Sequence, residues 1–208
     1  MDKYEGDAII AFWNAPLEVP DHAVRCVRSA LRCQARLAEL RPVIQKRIGK
    51  QLKMRIGMNT GPAVVGNLGS ATRFDYTMLG DAVNLAARLE GANKQFGTYT
   101  MVSESTKDLL GDGFRFRELA RLAVVGKNLP VRVFEPMFAK DYPANAQVYE
   151  TFANALDLFY KGEFEKALAI FDTQAEIDPA SRSYADKCRF LMENPPQGFN
   201  GVWVMTTK

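Results

Sequence analysis

The stretch Tyr76-Thr77-Met78-Leu79-Gly80-Asp81-Ala82-Val83-Asn84-Leu85-Ala86-Ala87-Arg88-Leu89-Glu90 sets a glycine directly ahead of a helical pattern that begins near Asp81. Spacings of three and four residues put Asp81, Asn84 and Arg88 on one face of that helix, and Ala82, Leu85, Ala86 and Leu89 on the opposite, apolar stripe. Amphipathicity by itself accounts for a polar face. A surface helix normally fills it with Lys and Glu, however, whereas here an amide and a guanidinium stand behind a glycine-containing turn. The planar guanidinium fork suits bidentate contact with phosphate oxygens, so this face is a candidate for phosphate recognition.

Working outward, residues 8–13 are rich in Ile, Phe and Trp and are bounded by Gly6 and by Asn14-Ala15-Pro16, which predicts a buried strand as the first element. Pro20 and Asp21 signal the start of a helix that runs to about Leu40. Arg25, Arg28, Arg32 and Arg36 form a basic stripe along it, read as a solvated face because no aromatic residues interleave as stacking platforms. Residues 53–58 alternate like a half-buried strand, and Gly61-Pro62 turns them into a second run at 63–66, predicting a hairpin. Gly66, Gly69 and residues 70–72 read as the loop before the Asp81 helix. Residues 98–102 form another strand candidate, with Ser103 as N-cap of a short helix ending at Gly111. Further strands are predicted at 114–119 and 131–135. Strands and helices alternate irregularly, so the fold class is α+β rather than a doubly wound parallel sheet.

The chain changes character between Pro136 and Pro143. Three helices are predicted beyond it, at 148–160, 163–176 and 180–193, separated by Gly162 and Pro179. Gly162-Glu-Phe-Glu-Lys-Ala167-Leu-Ala-Ile-Phe171 and Pro179 resemble one tetratricopeptide repeat. A single repeat cannot bury a continuous core, so this region reads as a helical extension packed on the main domain. The expected division is a partial catalytic domain at 1–136, a linker at 137–147, the helical extension at 148–193 and a C-terminal tail at 194–208.

Composition excludes several classes. The 208 residues are 47% apolar and 25% charged, and 27 Lys and Arg against 24 Asp and Glu give a net charge of +3, too little concentrated charge to argue for nucleic acid or an anionic membrane surface. The longest apolar run, residues 8–13, is far short of the roughly 18 to 20 residues that cross a bilayer. Acids at Asp2, Glu5 and Asp7 stand where a signal peptide needs a basic start, and Cys26, Cys33 and Cys188 form neither a disulfide framework nor a zinc motif. Reduced thiols and a cytoplasmic location are the expectation.

Three blocks, Lys3-Tyr-Glu-Gly6-Asp7-Ala-Ile-Ile-Ala-Phe-Trp, Arg55-Ile-Gly57-Met-Asn-Thr-Gly61 and Tyr76 to Glu90, occur in an order and at separations that resemble the catalytic domain of class III adenylate/guanylate cyclases. The resemblance covers about two thirds of the chain and implies a ferredoxin-like α+β fold that converts ATP to cyclic AMP and pyrophosphate. It implies that Asp7 is one of two aspartates holding a pair of Mg²⁺ or Mn²⁺ ions. Lys3 and Thr77 would recognise the purine, Asn84 would orient the ribose, Arg88 would stabilise the transition state, and Lys127 would grip the terminal phosphates. ATP is preferred to GTP on Lys3 and Thr77, although a hydroxyl that can also donate should discriminate less sharply than a carboxylate. A homodimer with shared sites is implied, with an upstream sensor or regulatory domain outside this chain. The family's other metal aspartate lies on a strand ahead of the Lys3 to Asp7 turn, so the catalytic domain is expected to be incomplete at its N-terminus and inactive alone. Rival readings are a non-catalytic cyclase-homology module that binds nucleotide, or a peptide-docking helical module.

Overall fold

The computed structural model describes residues 2–70, 72, 74–123 and 129–204. In chain order the elements are β1 (Lys3–Glu5), β2 (Ala8–Ile10), α1 (His22–Ile48), β3 (Ile56–Met58), β4 (Val64–Gly69), β5 (Phe74–Leu79), α2 (Asp81–Phe96), β6 (Thr100–Ser103), α3 (Glu104–Lys107), β7 (Phe114–Ala123), β8 (Val131–Phe138), α4 (Ala146–Tyr160), α5 (Phe164–Asp172), α6 (Pro179–Glu193) and β9 (Val202–Val204). Five strands form one mixed sheet in the order β3-β6-β8-β7-β9, with a parallel pair at each end. Two antiparallel hairpins, β1-β2 and β4-β5, stand apart from it.

Side-chain alternation along the sheet assigns its two faces. Val102 and Phe134 point toward α1, meeting Val27 and Ala30, together with Met58 and Phe114. Their neighbours Met101 and Val133 point the other way, into a larger cluster that joins Leu85, Leu89 and Phe96 of α2 to Phe152 and Phe159 of α4, Phe171 of α5 and Tyr184 of α6. The C-terminal helices therefore share one core with the sheet and α2. Tyr184 is fully buried and donates its hydroxyl to the carbonyl of Leu119 at 2.7 Å, so its polar tip is satisfied inside that core.

Several sequence expectations change. Residues 8–13 are not a buried opening strand: β2 is short, leaves Ile9 60% exposed, and takes β1 as its partner. The hairpin expected between 53–58 and 63–66 does not form, because β3 pairs in parallel with β6 while β4 pairs with β5, a strand the sequence reading treats as approach to the helix. Helix α1 continues past Pro42 to Ile48 and stops at Gly49, which adopts φ 71° and donates its N–H to the Gln45 carbonyl. A left-handed glycine is the stronger stop signal here, since one proline removes one donor without forbidding the turns that follow. Its four stripe arginines are exposed, as a solvated face requires, and Arg25 and Arg36 pair with Asp21 and Glu39. The C-terminal segment supplies a strand that the sequence does not announce, β9, whose Trp203 lies opposite Leu122 and packs its ring 5.0 Å from Phe96 and 4.8 Å from Tyr184.

One buried ion triad joins the sheet to the helices. Arg117 on β7 is 6% exposed; its Nη2 donates to Glu135 of β8 at 2.7 Å and its Nη1 to Asp178 at 2.8 Å. Asp178 also caps α6, accepting from the Ser181 N–H at 3.0 Å and hydroxyl at 2.7 Å. Removing the guanidinium strands the buried Asp178 carboxylate and leaves the partly buried Glu135 without its partner, which is costlier than deleting a surface pair. Arg117→Met is expected to lower unfolding free energy in urea by about 3–5 kcal/mol. Asp178→Asn should cost less, because its amide oxygen can still accept from Ser181 while Glu135 remains on Arg117. A loss below about 1 kcal/mol for Arg117→Met, the range of an exposed pair, would show that the triad does not brace the fold.

Candidate functional site

Five of the six candidate residues lie on the hairpins and α2. Strand β5 runs into α2 through a single residue, Gly80, at φ 147° and ψ 167°, a conformation that side chains rarely adopt. That turn fixes Thr77 on the strand and Asn84 on the first turns of the helix as parts of one rigid corner. Leu85 and Leu89 are buried while Asp81, Asn84 and Arg88 are exposed, so the helix presents the polar face expected from its spacing.

The block Arg55 to Gly61 is the seat of α2. A Cβ on Gly57 would lie 2.2 Å from the Glu90 nitrogen, 2.3 Å from the Ala86 carbonyl oxygen and 2.7 Å from the Leu89 carbonyl carbon, so the helix backbone occupies space that only glycine leaves open. Around that approach, Arg55 pairs with Glu90 at 2.8 Å, and buried Asn93 donates its side-chain amide to the Ile56 carbonyl at 3.1 Å. Asn59 donates to the Ala82 carbonyl at 2.9 Å and accepts from the Ser103 hydroxyl at 2.6 Å, tying the first turn of α2 to β6. Gly57 and Asn59 hold the site's helix in place and were not singled out by sequence reasoning.

The N-terminal hairpin supplies the rest. Lys3 is half-buried on β1, and Asp7 is exposed at the tip beside Gly6, whose φ is 62°. The hairpin reaches β5: Thr77, 7% exposed, donates its hydroxyl to Asp2 at 2.7 Å, and the Phe12 and Tyr76 rings lie 6.1 Å apart. Thr77 is thereby tied to the hairpin that carries Lys3, through a residue, Asp2, that the sequence reading passed over. Its one signal was position, a carboxylate immediately before the candidate lysine. Lys127 lies outside the described residues.

Among the described residues no three His, Cys, Asp or Glu side chains converge to hold an ion. One exposed carboxylate does not meet the demand of a divalent pair for several oxygen ligands.

The sequence model of the adenylate and guanylate cyclase catalytic domain matches residues 3–136. Adenylate cyclase 1 of Rhizobium meliloti (strain 1021) is 35% identical over 133 residues, 64% of this chain and 20% of that protein, so the chain spans about a fifth of this relative. Among solved structures, the adenylyl cyclase CyaB from P. aeruginosa superposes with a TM-score of 0.59 at 31% identity, covering 65% of this chain and 70% of that one. The guanylyl cyclase Cya2 superposes at 0.54 and 31% identity, covering 64% and 66% respectively.

The seat of α2 has a test with two signs. Gly57→Ala drives a methyl into helix backbone and is expected to destabilise by about 1–3 kcal/mol or more, read as a fall in melting temperature. Gly91→Ala, also beside the site but with nothing within 4 Å of its added Cβ, should stabilise α2 by about 0.5–1 kcal/mol through helix propensity. Equal effects of the two substitutions would remove the close approach as the reason for Gly57.

Proposed function

The chain belongs to the adenylate and guanylate cyclase catalytic domain family, and from that premise we propose that it carries catalytic residues of a nucleotidyl cyclase making cyclic AMP and pyrophosphate from ATP. The observation that carries this reading is the single corner of β5, Gly80 and α2, which holds Thr77 next to the Lys3 hairpin and turns Asn84 and Arg88 outward from one rigid helix. The ferredoxin-like arrangement and the tetratricopeptide-like character of α4–α6 belong to the same reading.

In the reaction the ribose 3′-oxygen forms a bond to the α-phosphorus as its proton leaves, and the bond from that phosphorus to the bridging oxygen breaks to release pyrophosphate. Lys3 donates to the adenine ring nitrogen and Thr77 accepts from the exocyclic amine, fixing the base. Asn84 has a donor and an acceptor with which to hold the ribose in line. Arg88 meets the charge that grows on the phosphate oxygens; preorganised donors of this kind are worth about 3–4 kcal/mol of barrier. Lys127 is assigned to the terminal phosphates. Mg²⁺ or Mn²⁺ is the divalent ion this chemistry uses elsewhere in the family. Asp7 alone does not fit an ion pair, so further carboxylates must come from outside the described residues.

Asn84 and Arg88 point away from their own core, and the hairpins expose Tyr4, Ile9, Val64, Phe74 and Leu79, a set of apolar side chains suited to association. The active form is therefore a homodimer in which Asp7 of one protomer faces the Asn84 and Arg88 of the other.

Two measurements test this reading. Purified chain 1–208, given ATP and Mn²⁺, is expected to turn over far below about 1 per second, the lower end of ordinary enzyme rates; activity at that level would overturn the need for additional carboxylates. In an active form of the protein, Asp7→Ala and Arg88→Ala should each abolish turnover. An equal mixture of the two should recover about a quarter of it, because half the dimers are mixed and each has one intact interface. Mixed dimers that form and stay inactive would place the site within one protomer.

A further inference from the structure

Thr77 carries more information than its type. A threonine hydroxyl has one proton and two lone pairs and can serve either role toward a ligand. Here that proton is committed: Thr77 Oγ1 lies 2.7 Å from Asp2 Oδ2, and since a carboxylate oxygen only accepts, the hydroxyl must donate. Thr77 is 7% exposed, which makes an alternative water partner for the proton costly to supply. Asp2 is itself held, its backbone N–H donating to the Ile10 carbonyl at 2.9 Å, so the carboxylate rides on the β1-β2 hairpin rather than on a loose end. The two residues stand 75 positions apart in sequence and meet only because the hairpin packs on β5.

We infer that Asp2 is a positioning residue for base selection: by taking the Thr77 proton it leaves Thr77 able only to accept, which favours adenine over guanine. The inference rests on the proposed role of Lys3 and Thr77 as the purine-recognising pair. Adenine presents a bare ring nitrogen to the Lys3 ammonium and an amine to Thr77, two matched contacts. Guanine in the same pose presents a ring N–H to the ammonium and a carbonyl oxygen to the Thr77 lone pairs, two mismatches. A freely rotating hydroxyl relieves the second by donating to the carbonyl; a hydroxyl tied to Asp2 cannot. Rejection through an unmatched polar group is the strong form of discrimination, stronger than pocket shape alone. Thr77 with Asp2 behind it therefore behaves as an acceptor, closer to a carboxylate than an isolated threonine would.

The test reads base preference by binding, which turnover does not enter. ATP and GTP affinities of chain 1–208 are compared by ligand-observed NMR for the unaltered protein and for Asp2→Asn, Asp2→Ala, Asp2→Glu and Thr77→Val, with circular dichroism reporting folding. The unaltered protein should prefer ATP. Asp2→Ala removes the acceptor and frees the Thr77 proton, so the preference should fall about tenfold; Asp2→Asn, whose amide can present either its oxygen or its NH2 to Thr77, should fall by less. Asp2→Glu, which keeps an acceptor, should retain most of the preference, and Thr77→Val should lose it. A purely structural role for Asp2 would weaken both nucleotides alike and leave their ratio unchanged. If folded Asp2→Asn and Asp2→Ala keep the ratio within about twofold while Thr77→Val changes it, Asp2 does not position the hydroxyl and the base pair stands. If the unaltered protein favours GTP, or binds neither nucleotide, the assignment of Lys3 and Thr77 fails and the role of Asp2 falls with it.

Discussion

The backbone of α2 lies where a side chain on residue 57 would have to be, and the rest of the site follows from that approach. A helix this close to β3 cannot shift without opening the Gly57 contact, the Arg55–Glu90 pair and the Asn93 bond to the Ile56 carbonyl together. Its apolar stripe is committed to the core, so the opposite face, with Asn84 and Arg88, has no orientation available except outward. Rigid placement of this kind is what a site that works through preorganised charge needs, because donors that must first move lose part of their effect.

The far end of the same helix is held by the C-terminal region. At Gly97, φ 64°, an added Cβ would lie 2.4 Å from the Pro179 side chain, so α6 begins where α2 ends. Phe96 stacks near Tyr184 and Trp203, and the Arg117 triad pins the α6 cap to β7 and β8. Helices α4–α6 and β9 are therefore part of what keeps α2 in register with the sheet. The C-terminal region is packed directly against the helix bearing the candidate catalytic residues.

The site is also divided. The β1-β2 hairpin carries Lys3 and Asp7, the β5-α2 corner carries Thr77, Asn84 and Arg88, and the Asp2–Thr77 hydrogen bond joins them within one chain. Asp7 at the exposed hairpin tip has no carboxylate cluster of its own among the described residues. The exposed polar face and the exposed apolar side chains of the hairpins both gain a purpose if two protomers close over the nucleotide.

What the sequence determined by itself is local. The period of three and four residues around Asn84 and Arg88, the stop signals at Gly162 and Pro179 and the spacing of the three cyclase-like blocks were legible because each depends on residues close together in the chain. Tertiary structure decided the pairings that no period encodes. Strand β5 looked like an approach to a helix because exposed hairpin strands need no clean apolar alternation, and β9 was silent because three residues become a strand only when β7 offers an open edge. Arg117 meets Asp178 across 61 residues and Asp2 meets Thr77 across 75, contacts set by how packed elements juxtapose rather than by propensity. Gly57 could be read as one of a motif's letters, yet its reason, a helix backbone against a strand, exists only once the two elements touch.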